Sequence, residues 1–210
     1  MPPLVIANLT YIQQYLNPRL GETKVGQALQ LPSSDSLNNS LAQFKQDGVK
    51  FILLGIPEDI GPRANLGRGG SDKGWSAFLT SFVNLQHNKF IHSEKIALLG
   101  HIDCDDLQQK SAKLDISCPE QLDALRTLVK TLDGRVAKVI EQIVAHGLLP
   151  IVIGGGHNNA LGIIQGVSNA KQASIAAVNC DPHTDFRALE GRHSGNGFSY
   201  AAHTNCLSDY

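Results

Sequence analysis

Two short stretches hold side chains that can do chemistry together. Residues 175–187 read IAAVNCDPHTDFR, an apolar run ending in Asp181, His183 and Asp185. In extended backbone successive side chains point to opposite faces, so the i, i+2, i+4 spacing predicts two carboxylates and an imidazole on one side. Residues 148–159, LLPIVIGGGHNN, repeat the design: an apolar strand, three glycines and then His157. Carboxylates and imidazole without a thiolate suit manganese or another hard-to-borderline divalent ion better than a structural zinc. Two carboxylates and a histidine after an apolar strand are costly to bury without a counter-charge, and a cation answers that cost. The competing reading is an exposed polar turn. Cys180 is expected to be buried beside the cluster and to face away from Asp181.

Two rival motifs need weighing. His101, Asp103 and Asp105 repeat the alternating spacing at the end of KIALLGHIDC (residues 95–104), but they lead into polar QQKSAK with no glycine-rich partner strand, so they read as a solvated strand-end loop. GGGHNN could cradle a phosphate, yet it lacks the Lys-Ser/Thr of a P-loop and the spacing of a dinucleotide fingerprint. Its glycines fit better as a tight turn that lets His157 face the Asp181 cluster.

Strands are predicted over residues 49–57, 95–104, 148–153 and 175–180. A helix with Trp75, Phe78, Leu79 and Phe82 at helical spacing is predicted over 71–83. The clearest helix opens at SCPE, read as a Ser117–Glu120 capping box with Pro119 in the first turn. It carries Leu122, Leu125, Val129, Leu132, Val136, Ile140 and Ile143 on one stripe up to Gly147. Alternating strands and helices imply right-handed βαβ units, hence a three-layer α/β/α fold with a mainly parallel sheet and a site at the carboxyl ends of its strands. The loop EDIGPRANLGRGG (58–70) lies at such a strand end, where loops carry function. Residues 1–48 are read as an N-terminal extension without assigned chemistry, and 32–40 as a loop between short helices.

The chain has 210 residues, 42% hydrophobic, and a formal net charge of −1. That predicts a soluble globular protein with no basic stripe for nucleic acid. No signal peptide or membrane span is predicted, which makes the cytoplasm the default expectation. The four cysteines, Cys104, Cys118, Cys180 and Cys206, lack CxxC spacing and are expected to be reduced.

Taken together, GGGHNN (154–159) and NCDPHTDFR (179–187) resemble the two upstream signatures of the ureohydrolase superfamily, which includes arginase, agmatinase and formimidoylglutamase. GIPEDIGPRANLGRGG (55–70) and EGRHSGNGFSYA (190–201) look closest to the formimidoylglutamase-like branch. Pro182 departs from the usual alanine, and nothing after Asp185 matches the family's third signature, Ser-x-Asp-x-Asp. The resemblance therefore implies an incomplete arginase-like α/β domain over 49–210, the N-terminal part of a longer homo-oligomeric enzyme.

What it implies chemically is a dinuclear manganese hydrolase of a linear amidine or guanidine C–N bond. His157 and Asp185 would serve one ion and His183 the other, with Asp181 bridging and a small-molecule substrate. His193, in the following loop, would deliver a proton to the departing nitrogen, or else be a surface histidine. Arg187, Arg192, Ser194 and Asn196 would be candidates to hold a substrate carboxylate. Two other classes stay open: an inactive fragment or pseudoenzyme acting as a binding module, and a single-zinc deacetylase. Metal stoichiometry separates the three. The 210-residue chain itself is expected to hold at most one weakly bound ion, to lack significant activity, and to self-associate or fold marginally because of an open sheet edge and an uncovered apolar face.

Overall fold

The computed structural model describes residues 3–210. Chain order begins with β1 (Leu4–Ile6), α1 (Leu9–Gln13), α2 (Val25–Ala28) and α3 (Leu37–Gln46). Then follow β2 (Phe51–Gly55), α4 (Ile60–Ala64), α5 (Gly74–Phe82), β3 (Ile96–Ile102) and α6 (Asp105–Ser111). The long α7 (Pro119–Ala145) leads to β4 (Leu149–Ile153), α8 (Asn159–Lys171), β5 (Ile175–Ala176), α9 (Gly197–His203) and β6 (Leu207–Asp209).

The main sheet has the order β1-β3-β2-β4, with β2 parallel to both β3 and β4 and only β1 antiparallel. Alternation decides which layer each strand residue meets. Ile52, Leu54, Ala97 and Leu99 pack with Leu41 and Phe44 of α3 and the apolar stripe of α7. Leu53 and Leu98 face the other way, onto Ile12, Val25, Trp75 and Leu79. Helices thus cover both faces of the sheet, giving the three-layer, mainly parallel α/β class. Each of these buried leucines and isoleucines contributes about 1.5–3 kcal/mol. The sequence boundary at residue 48 falls at Gly48, a left-handed turn residue (φ +77°) between α3 and β2. Residues before it supply β1 and three helices to the same sheet.

Several local expectations are corrected. The cap of α7 is Cys118, not Ser117, and its side chain makes no capping bond. Pro119 fixes the first helical position, so Ser117 turns back to Asp115 (2.7 Å) and Glu120 accepts the Cys118 thiol. The segment 32–40 is a loop only as far as Ser36, which caps α3 by accepting the Asn39 N–H.

The fourth predicted strand is the largest departure. Only Ile175 and Ala176 are strand, and they pair with β6 in a separate two-stranded sheet instead of extending the main one. Ile175 and Ala177 pack against Leu161 and Ile164 of α8 and Phe198 of α9. No layer covers the opposite face among the described residues, so Val178 is 99% exposed. An inner parallel strand needs cover on both faces, and this one has it on one. Cys180 is accordingly exposed instead of buried.

No helix of the described residues is long and apolar enough to cross a membrane. His101 is taken up by Tyr11, whose hydroxyl lies 2.8 Å from His101 Nδ1 and also accepts the Trp75 indole N–H. Asp103 accepts the backbone N–H of Asp105 as α6 begins.

Candidate metal centre

His157 is delivered by the end of β4. Gly154 and Gly155 both adopt left-handed backbone, φ +88° and +73°. A Cβ on Gly155 would lie 2.8 Å from the Ile56 carbonyl oxygen, so the turn depends on glycine there. It places His157 immediately before α8, edge-on to the Phe198 ring at 5.6 Å.

The carboxylates come from the irregular segment that follows β5. Asp185 holds a left-handed backbone (φ +48°), so Asp181 and Asp185 converge through a turn and not along an extended strand as the spacing predicted. Asp181 Oδ1 accepts the His183 backbone N–H at 2.7 Å. That bond, together with the charges of His157 and His183, holds the Asp181 carboxyl below its ordinary range. Tyr210 ties the segment down: its hydroxyl donates to the Thr184 carbonyl (2.7 Å) and accepts from Asn179 Nδ2 (2.8 Å).

Three ligand atoms meet as a result. His157 Nδ1 lies 2.6 Å from Asp185 Oδ2 and 3.6 Å from Asp181 Oδ2. One ligand atom from each of His157, Asp181 and Asp185 falls within 4.8 Å of the others. His157 Nδ1 is buried and has no hydrogen-bond partner despite the nearby oxygens. The His157 ring nitrogen and the Asp185 carboxylate are close but not aligned as a hydrogen bond, and a divalent cation of oxygen and imidazole preference would satisfy both together with Asp181. The residues present therefore fit such an ion. His183 stands outside this trio with its side chain 80% exposed, although its Nδ1 remains 3.3 Å from Asp181 Oδ1.

His193 lies away from solvent, fully buried. Its Nδ1 accepts the Gly195 N–H (3.1 Å), which leaves the proton on Nε2, directed at Glu190 Oε1 (3.1 Å). Burial pushes its pKa down, and the Arg187 and Arg126 charges add to that. The Glu190 hydrogen bond and charge oppose it. The surface-loop alternative for His193 does not describe this environment.

Arg192 is also buried, and all five of its N–H donors are used. They reach Asp133 (2.7 and 3.2 Å), the carbonyls of His193 (3.2 Å) and Asn158 (2.9 Å), and Asn196 Oδ1. Asn196 Nδ2 is spent on the Ala188 and Gly191 carbonyls at 3.1 and 2.8 Å. Of the four candidates for a substrate carboxylate, Arg187 and Ser194 retain exposure, Arg187 while bonded to Asn65 (2.6 Å) and Glu190 (2.8 Å). Asp133 and Glu190 were not singled out from sequence. Asp133 carries a signal in hindsight, since it is an acid four residues after Val129 on the apolar side of α7.

Clefts of about 400 and 340 Å³ flank the trio, one lined by Gly155 and His157, the other by Asp181, His183 and Tyr210. A larger groove of about 640 Å³ between α7, α8 and α9 holds none of the three ligands.

Comparison with known proteins agrees with this architecture. A formimidoylglutamase of Aromatoleum aromaticum is 30% identical over 157 residues, covering 72% of this chain and 42% of that protein. One from Streptococcus gordonii is 27% identical over 156 residues, covering 72% and 41%. The chain thus spans about two fifths of the length of these curated relatives. Among solved structures, manganese-bound formiminoglutamase of Trypanosoma cruzi superposes with a TM-score of 0.58 at 20% identity, covering 89% of this chain and 55% of that one. Formimidoylglutamase of Bacillus subtilis gives 0.59 at 12% identity, covering 95% and 56%. At such identities the structural likeness establishes the arginase-like α/β fold. The arginase family profile matches residues 49–209, and the chain belongs to the arginase family.

Proposed function

We propose that the full-length protein is a manganese-dependent hydrolase of a linear amidine or guanidine C–N bond, with formiminoglutamate as the leading substrate and guanidino compounds behind it. The observation that carries this reading is the convergence of His157, Asp181 and Asp185, with the buried His157 Nδ1 making no aligned hydrogen bond. The sequence relatives named formimidoylglutamase favour the formimino substrate.

His157, Asp181 and Asp185 would hold one ion, and His183 with the outer oxygen of Asp181 would reach a second. Divalent ions there supply Lewis acidity and a more acidic water. The chain's own residues do the rest. His193 is the proposed proton shuttle to the departing nitrogen, with Glu190 on its Nε2 side fixing its tautomer and orientation. Arg187 is the proposed anchor for a substrate carboxylate, since its guanidinium lies near the surface and exchanges partners more readily than Arg192.

A second reading has its own support. Three convergent ligand atoms fit a single ion, and His183 is turned outward, so the 210-residue chain by itself should bind one manganese weakly and turn over little substrate. Calorimetric titration with manganese decides the metal. We expect one weak site in the 210-residue chain and loss of that site in Asp181→Asn, with the far-ultraviolet circular dichroism unchanged. Unaltered manganese uptake in Asp181→Asn would sink the assignment. For the reaction, the full-length protein should release formamide from formiminoglutamate, and Asp181→Asn should not.

A further inference from the structure

Glu58 lies between β2 and α4 and is fully buried. Its carboxylate joins two pieces of backbone. Oε2 accepts the Gly61 N–H at 3.1 Å, at the start of α4. Oε1 accepts the Gly156 N–H at 2.6 Å and Asn159 Nδ2 at 2.7 Å. Asn159 Nδ2 also donates to the Gly156 carbonyl at 2.9 Å, so the donors on Oε1 bracket His157 in the chain. No cationic side chain pairs with Glu58 among the described residues. A carboxylate held this way is costly in a packing role alone, because an apolar residue would fill the space without the desolvation penalty.

We propose that Glu58 is a positioning residue for the candidate metal centre: it fixes the glycine turn so that His157 Nδ1 points at Asp181 and Asp185. Only a carboxylate satisfies the geometry, since donors approach both oxygens. A glutamine has one carbonyl oxygen, and its NH₂ would face either the Gly61 N–H or the Gly156 and Asn159 pair. The inference rests on the metal reading above for one of its two measurements and is independent of it for the other.

The test compares Glu58→Gln and Asn159→Ala with the unsubstituted protein. Manganese affinity is measured by calorimetry, and amide hydrogen exchange at Gly156 is measured without metal. In Glu58→Gln we expect affinity to fall about 10- to 100-fold, the usual effect of losing a group that orients a ligand, and Gly156 exchange to quicken about tenfold or more. Amides of β2 and β3 should keep their protection. Asn159→Ala should shift both measurements in the same direction by about threefold, because the Gly156 and Gly61 bonds to Glu58 survive. Unchanged affinity in Glu58→Gln overturns the proposal, even with faster exchange at Gly156, since Glu58 would then serve the turn alone. If the unsubstituted protein takes up no manganese, the metal reading fails and the exchange measurement decides whether Glu58 fixes the turn. If Glu58→Gln does not fold, Asn159→Ala decides by the same two measurements.

Discussion

The paired strands β2 and β3 and the segment after α8 began as similar sequences and ended in different environments. Leu54, Leu98 and Leu99 are fully buried, with strand neighbours at their edges and helices above and below. Val178 is almost fully exposed in a run just as apolar. The difference is cover, not composition: β2 lies between β3 and β4, whereas β5 has α8 and α9 beneath it and, among the described residues, β6 alone beside it. The candidate metal centre straddles the two regimes. His157 hangs from the sheet, while Asp181 and Asp185 depend on side-chain ties such as Tyr210 to Thr184 and Asn179.

The tie that should matter most is Arg192–Asp133. It anchors the loop after Asp185 to α7 through two bonds to a buried carboxylate and further bonds to Asn158 and Asn196. Arg192→Ala leaves Asp133 buried without its partner and should cost about 3–5 kcal/mol. Urea unfolding would show it, and the joint Arg192→Met, Asp133→Leu replacement should recover most of the loss. A cost below about 1 kcal/mol for Arg192→Ala would mean the loop is held elsewhere.

A direct contrast between the regions comes next in size. Leu54→Ala opens a cavity in a core closed on all sides and should cost about 2–5 kcal/mol. Val178→Ala removes more exposed apolar surface than packing and should stay within about 0.5 kcal/mol. Equal effects would show that residues 175–180 are covered in solution, in self-association or otherwise, and concentration-dependent sedimentation would separate those cases.

How far the sequence revealed all this follows the same division. β2, β3 and the stripe of α7 were legible because an apolar run of strand length and a helical stripe ask for cover that the fold supplies, and β4 was legible as a strand although Leu149 and Ile151 stay exposed. The spacing of Asp181, His183 and Asp185 predicted one face, whereas the turn brings His157 to Asp181 and Asp185 and leaves His183 outside. The fate of 175–180 was not legible, since an apolar run says that cover is wanted but not whether a neighbour supplies it. The α7 cap was misread because Ser117 and Pro119 both signal a helix start, and the fixed φ of proline decides between them. Arg192 and Asn196 looked like free polar side chains in a loop. Their buried partners, Asp133 above all, lie far away in sequence, where spacing carries no information.

The smallest effect is also the one that reads the two regions by opposite signs. Asp106, in the first turn of α6, receives Arg135 as a fork, at 2.6 and 2.9 Å, with Lys110 at 3.3 Å. The Arg135 hydrogen bonds are the main cause holding its pKa down at about 2, against 3.8 unperturbed. The folded state then binds fewer protons than the unfolded one, so the stabilisation is present above pH 3.8 and is lost as pH falls through about 2. Asp106 is nearly half exposed, so solvent screening limits the gain to about 1 kcal/mol or less. Asp133 goes the other way. Burial pushes its pKa up to about 6 against the opposing pull of Arg192, so between pH 3.8 and 6 its contribution falls as pH rises. Urea midpoints measured from pH 2 to 7 should therefore show a shallower acid-side slope in Asp106→Asn and keep the opposite slope near pH 5. In high salt the Asp106 contribution should shrink while the buried Asp133 one persists. An unchanged slope below pH 4 in Asp106→Asn would remove Arg135–Asp106 as a contributor to the stability of the sheet region.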